Sequence, residues 1–154
     1  MKSIQKIIGL LFSIYVVSVV TVSGQKMRPL KGKPIEVQLT PYKTTFLAGG
    51  MDSALISVKI IDEGGATVKN AERNITFHIK GDATIKRIYG NGVTVIKRTD
   101  TSWEANVKEN CEVVLLSGKS KSVISFDAKS EELYTGSTSI HSIVAERPVL
   151  VTSQ

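Results

Sequence analysis

Outside the N-terminal segment, apolar residues in this chain recur at every second position in short runs, and no window of ten or more residues keeps a period near 3.6. A period of two requires extended strands with one buried face, and it removes amphipathic helices as the building unit. The clearest run spans residues 54–65. Ala54, Ile56, Val58 and Ile60 share one face while Ser57 and Lys59 share the other, so the run reads as a core strand. Asp62-Glu63-Gly64-Gly65 then ends it, with two glycines suited to the positive backbone angles of a tight turn.

The same logic applied along the chain predicts further strands. Pro34 opens a first strand through Ile35, Val37 and Leu39, at the position where a missing amide donor matters least. Residues 44–47 form a short second strand, and Ala48-Gly49-Gly50-Met51-Asp52 forms a turn. Residues 75–80 resume the alternation. Residues 84–89 and 93–98 flank Gly90-Asn91-Gly92, and an Asn-Gly pair between two β-rich runs predicts a hairpin. Trp103 begins a short strand over 103–107. Residues 111–116 and 123–128, joined by Ser117-Gly118-Lys119-Ser120-Lys121, are expected to be antiparallel neighbours. One helical turn is expected within 129–136, and a last strand over 137–145 has Ile140 and Val144 as its main apolar points. Seven to nine short strands at regular spacing predict an all-β chain folded as an antiparallel immunoglobulin-like β-sandwich.

A chain of 154 residues is long enough for one domain with its own core. The domain is expected over 34–147, after a flexible basic leader at 25–33 and before a tail at 148–154. Residues 1–24 have the order of a cleavable signal peptide: Lys2 and Lys6, an apolar stretch from Ile7 to Val20, then Val22-Ser23-Gly24. Cleavage after Gly24 leaves Gln25 first. The apolar stretch is shorter than the roughly 20 residues of a spanning helix, so no stable membrane span is expected after cleavage. The expected location is periplasmic or extracellular. The net charge of +6 falls by two once Lys2 and Lys6 are removed. The remaining lysines are scattered among carboxylates on alternating strands, which argues against a nucleic-acid partner.

Several segments, taken in order, resemble a known family: Ala48-Gly49-Gly50-Met51-Asp52-Ser53-Ala54, Val58-Lys59-Ile60-Ile61-Asp62, Val68-Lys69-Asn70-Ala71, Ile75-Thr76-Phe77, Gly81 and Gly90-Asn91-Gly92. With Val113-Val114-Leu115-Leu116 and Ile124-Ser125-Phe126-Asp127-Ala128 they resemble the immunoglobulin-like C-terminal accessory domain of family 2 glycoside hydrolases, over residues 35–133. The first half is also similar to bacterial invasin- and adhesin-type immunoglobulin-like domains. The resemblance implies a sandwich working in a sugar-degrading context. It supplies no catalytic residue, and the chain departs from the family's pattern at Gly49, Lys69 and Val93.

Few side chains offer chemistry. Glycoside hydrolysis by two carboxylates needs them about 5–10 Å apart in a cleft, whereas Asp62-Glu63 and Glu131-Glu132 fall in predicted turns and read as solvated turn residues. His78 and His141 belong to no spaced metal motif. The lone Cys111 can form neither an internal disulfide nor a zinc pair. A Cys111/His78 nucleophile pair is open on sequence, but Cys111 shares parity with Val113 and Leu115, the setting of an inert buried thiol. Asn74-Ile75-Thr76 matches a glycosylation sequon.

Trp103 has two readings. An exposed indole lies flat on a pyranose ring, with Tyr42, Tyr89 or Tyr134 as companions; a buried one packs the core. Its alignment with an aromatic packing position of the resembled family favours packing. Trp103, Tyr89 and Asn91 form the candidate ligand-binding set, although Asn91 also reads as a backbone turn residue. The expected function is that of an exported, non-catalytic module, without cofactor or metal, serving carbohydrate-associated binding or structural support. Its expected partner is a polysaccharide, or a glycosidase or envelope protein. The alternatives are an adhesin-like protein-interaction module and a separately encoded piece of a glycosidase.

Overall fold

The computed structural model describes residues 32–145. The expected signal peptide, most of the leader and the tail lie outside those residues, as do the last two positions of the expected domain. Ten strands follow one another: β1 (Glu36–Pro41), β2 (Thr45–Leu47), β3 (Ser53–Ile61), β4 (Arg73–Lys80), β5 (Ala83–Tyr89), β6 (Thr94–Arg98), β7 (Ser102–Val107), β8 (Asn110–Ser117), β9 (Ser122–Lys129) and β10 (Gly136–Ile143). They form a four-stranded sheet in the order β1-β3-β8-β5 and a six-stranded sheet in the order β2-β10-β9-β4-β7-β6. Neighbours are antiparallel except β2 and β10, which run parallel. The all-β immunoglobulin-like sandwich is therefore the observed fold, with ten strands where the sequence predicts seven to nine.

The inner faces follow the predicted parity. Ala54, Ile56, Val58 and Ile60 of β3 and Cys111, Val113 and Leu115 of β8 face Ile75, Phe77 and Ile79 of β4 and Ile124, Phe126 and Ala128 of β9 in one buried cluster. Phe77 and Phe126 stack at its centre, with ring centroids 5.9 Å apart and planes inclined by 11°. Each fully buried Val, Leu, Ile or Phe side chain there stabilises the fold by about 1.5–3 kcal/mol.

The two sheets are closed along one side by a strand that changes sheet. The chain leaves the four-stranded sheet after β1 and enters the six-stranded one as β2. On the same side, Tyr134 N–H donates to Ile35 O at 2.7 Å, and Val37 N–H donates to Tyr134 O at 3.1 Å. β10 begins so close to β1 that a Cβ on Gly136 would lie 2.1 Å from Val37 O, which makes glycine obligatory at that crossing.

Four local expectations are corrected. The Gly90-Asn91-Gly92 segment does not turn a hairpin: β5 pairs with β8 in one sheet and β6 with β7 in the other, so the segment carries the chain between sheets. Gly90 at φ 156° and Gly92 at φ 68° supply that crossing. β8 and β9 likewise belong to different sheets, because the five residues expected to join neighbours pass over the end of the sandwich instead. No helical turn forms at 129–136; Glu132 takes φ 62° and Tyr134 bridges to Glu36 of β1. The last strand ends at Ile143, which leaves Val144 exposed beyond it rather than in the core.

Candidate functional site

The outer face of the four-stranded sheet gathers side chains from distant parts of the chain. Antiparallel register aligns Thr40, Ser57, Glu112 and Tyr89 in one row across β1, β3, β8 and β5. In the next row Leu55 stands opposite Val114, and Val114 opposite Arg87. Tyr42 joins this second row from just beyond β1, where its N–H donates to Leu55 O at 2.9 Å. All these side chains lie on the parity that points away from the core.

Glu112 links the rows. The Tyr89 hydroxyl donates to its Oε2 at 2.5 Å, and the Tyr42 hydroxyl makes a longer contact of 3.4 Å to Oε1. The hydrogen bond to Glu112 holds the Tyr89 hydroxyl above the ordinary phenol pKa, with partial desolvation adding to the effect and the Arg87 charge opposing it. The Arg87 guanidinium lies over the Tyr89 ring, 4.5 Å from its centroid, a cation–π arrangement that orients a flexible side chain. A β-bulge between Ile85 and Arg87 breaks the alternation of β5 and leaves both Lys86 and Arg87 facing solvent. Beside them is a hollow of about 300 Å³ lined by Lys86, Arg87 and Val114.

The other candidates do not converge here. Trp103 is 9 % exposed, within the buried cluster, and one ring face lies beneath the Arg98 guanidinium at 4.6 Å. Its place in the fold is therefore a packing position opposite Phe77, and it offers no open platform. Asn91 is exposed in the crossing between sheets. Tyr134 is exposed beside the bridge to β1. Of the sequence-derived candidates, only Tyr89 and its companion Tyr42 come together. Glu112, Arg87 and Lys86 were missed; the signals that could have found them are the single carboxylate inside an otherwise apolar β8 run and the broken alternation at Lys86-Arg87.

The remaining polar candidates have structural duties. Asp62 is 5 % exposed rather than solvated, and its Oδ1 accepts from Gly64 N–H and Ala66 N–H at 3.0 and 2.9 Å. Of its two following glycines, only Gly65 takes a positive φ. Asp52 accepts from Lys43 Nζ at 2.7 Å, Leu47 N–H at 2.8 Å and Ser53 N–H at 2.7 Å, interactions that hold its carboxyl below the ordinary carboxylate range. Cys111 is buried in the core, where desolvation, with a smaller contribution from Glu112, pushes its thiol up to about 12. His78 is exposed on the other sheet, so the two do not form a nucleophile pair. Among the described residues, no group of three or more His, Cys, Asp or Glu side chains is placed to hold a metal, and no helix is long and apolar enough to cross a membrane.

The six-stranded sheet carries a different feature on its outer face. A groove of about 610 Å³ runs over β4, β7 and the end of β9, lined by Asn74, Thr76, Glu104, Asn106, Lys129 and Ser130 among others. Asn106 Nδ2 donates to Asn74 Oδ1 at 3.0 Å across paired strands, and Ser130 Oγ donates to Asn74 O at 2.8 Å.

Comparison with known proteins follows the same fold. A β-galactosidase of Bacteroides ovatus is 29% identical over 89 residues, covering 57% of this chain and 10% of that protein. A family 2 glycosyl hydrolase of Bacteroides cellulosilyticus superimposes with a TM-score of 0.62 and 28% identity, over 73% of this chain and 15% of the other. A β-glycosidase of Bacteroides vulgatus shares the fold with a TM-score of 0.61 and 19% identity, over 71% of this chain and 14% of its own. The chain thus spans between a tenth and a sixth of the length of these relatives. The sequence pattern of glycoside hydrolase family 2 C-terminal domain 5 matches residues 37–139, from the second residue of β1 into β10, and the chain belongs to that family.

Proposed function

We propose that this chain is an exported, non-catalytic accessory module that holds carbohydrate, using the outer face of its four-stranded sheet. The observation that carries the reading is the Tyr42–Glu112–Tyr89 linkage with Arg87 stacked on Tyr89. The exposed Tyr42 ring supplies a face for the C–H surface of a sugar, while the Glu112 carboxylate and the Arg87 guanidinium, which covers one face of Tyr89, supply an acceptor and donors for its oxygens. Membership of a glycoside hydrolase accessory family, and relatives named as β-galactosidase and β-glycosidase, support a sugar-degrading setting.

Affinity electrophoresis in native gels containing a panel of polysaccharides tests the reading. Retardation of the full chain by at least one polysaccharide, lost in Tyr89→Ala, is the expected outcome; unretarded migration throughout the panel overturns it. Purified protein is expected to leave chromogenic galactoside, glucuronide and mannoside intact, and release of the chromophore would instead make it an enzyme. N-terminal sequencing of protein recovered from the envelope or medium is expected to begin at Gln25.

A second reading, contact with a glycosidase or another envelope protein, is favoured by one observation. At the edge of the six-stranded sheet, Leu47 of β2, Ile143 of β10 and Val123 of β9 are exposed apolar side chains on neighbouring strands. Such a partner would be retained in pull-downs regardless of added sugar, and Leu47→Asp would release it.

A further inference from the structure

We infer that the saccharide taken by the outer face of the four-stranded sheet is acidic, with Arg87 and Lys86 receiving its carboxylate. This rests on the carbohydrate-binding reading and names the ligand class within it. Strict alternation would have put one of these two neighbours into the core. The bulge between Ile85 and Arg87 turns both outward, so two cations stand side by side where a regular strand presents one. Arg87 is already oriented by the Tyr89 ring, which lowers the entropy lost when its planar donors meet a carboxylate. Among the described residues the ion pair is Lys43–Asp52, so no described carboxylate is in direct ion-pair contact with Arg87 or Lys86.

The surroundings suit a sugar ring carrying that charge. The hollow of about 300 Å³ at Lys86, Arg87 and Val114 matches the lower end of small-molecule sites, about 300–1,000 Å³. Val114 supplies its apolar side, and half-buried Leu55 stands opposite Val114 on the neighbouring strand, so an apolar surface for the C–H side of a pyranose lies next to the cations. Glu112 lies one row away with both oxygens turned toward tyrosine hydroxyls, positioned to accept from ring hydroxyls rather than to occupy the cations. A uronic acid residue within a polysaccharide presents this combination of one carboxylate, several hydroxyls and an apolar ring face.

The test uses two forms of one backbone. Polygalacturonate and its fully methyl-esterified counterpart differ in the carboxylate charge, and the full chain is run in native gels containing each. Retardation by the acidic form, weakened about tenfold or more in Arg87→Ala, is expected. Lys86→Gln is expected to weaken it to a smaller extent. Lys97→Ala removes an exposed cation from β6 of the other sheet and should change nothing. Equal retardation by both forms overturns the acidic ligand while leaving carbohydrate binding intact; no retardation by these or by neutral glycans overturns both. Equal weakening by Lys97→Ala and Arg87→Ala overturns the site in favour of diffuse charge. Because β5 is an edge strand, light scattering is measured on the same variants. Self-association with unchanged retardation would assign the cations to guarding that edge and overturn the proposal. Thermal unfolding of Arg87→Ala, with Lys86→Gln as the milder variant, separates loss of binding from loss of fold.

Discussion

The two outer faces of the sandwich are built by the same alternation over one shared core, yet they differ in what holds their side chains. On the four-stranded sheet, Glu112 ties Tyr42 and Tyr89 together and Tyr89 carries Arg87, so four side chains from three regions of sequence restrain one another. On the six-stranded sheet the groove is larger, about 610 Å³, but its lining is mostly amides, hydroxyls and charges from adjacent strands. A large hollow with polar walls offers hydration as readily as a ligand, whereas fixed aromatic and charged groups have already lost the freedom that binding would take away. The difference teaches that side-chain order, rather than cavity size, marks the better candidate site.

The largest effect is expected where the faces are not independent. Phe77 is fully buried beneath the six-stranded sheet and stacks on Phe126, so Phe77→Ala should destabilise the fold by about 3–5 kcal/mol, read as a fall in the urea midpoint. Both outer faces should be lost together in that transition. A smaller change should separate them. Gly136→Ala places a Cβ against Val37 O and should lower stability by about 1–3 kcal/mol through overpacking. Its strain falls on β1, which precedes Tyr42. Hydrogen exchange should therefore quicken in Glu36–Pro41 before it does in Arg73–Lys80 of β4; equal quickening would show that the faces respond as one body.

How much of this was legible in the sequence follows from how far each signal reaches. The inner positions Ile56, Val58 and Ile60 were readable because burial demands apolar residues on one parity, a property local to the strand. The family resemblance was readable for the same reason, being carried by turn glycines and core residues. The Asn-Gly segment was misread because a local turn signal does not say which sheet the next strand joins; pairing of β5 with β8 and β6 with β7 decides that. The site was hidden more deeply. Tyr89 and Tyr42 meet Glu112 across 23 and 70 residues of sequence, through register that only the assembled sheet creates. Trp103 drew attention through residue type alone, and its burial depends on Phe77 lying opposite it.

A gentler test reads the linkage on the four-stranded face directly. The Tyr89 hydroxyl donates to Glu112 and is held above the ordinary phenol value of 10, so the unfolded chain releases this proton first as pH rises. The contribution of Tyr89 to stability is therefore present below pH about 10 and declines as pH rises from there through the folded-state value. Ultraviolet titration of the native protein should show one late-ionising tyrosine that Glu112→Gln returns toward 10. An unchanged titration in that variant would break the linkage and, with it, the contrast between the faces.

The smallest effect is expected on the opposite face, and it sharpens the comparison most. Asn106 donates to Asn74 across β7 and β4 in a contact open to water, so Asn106→Ala exchanges one protein hydrogen bond for hydration and should shift stability by no more than about 0.5 kcal/mol. Nothing in that pair orders a charged or aromatic group, so retardation by polygalacturonate should also be unchanged. The outcome weighs against the Arg87→Ala result. If Asn106→Ala weakened retardation more than Arg87→Ala, the groove would be the binding surface, and the restrained tyrosines and arginine of the four-stranded sheet would serve only to cover Val114 and Leu55.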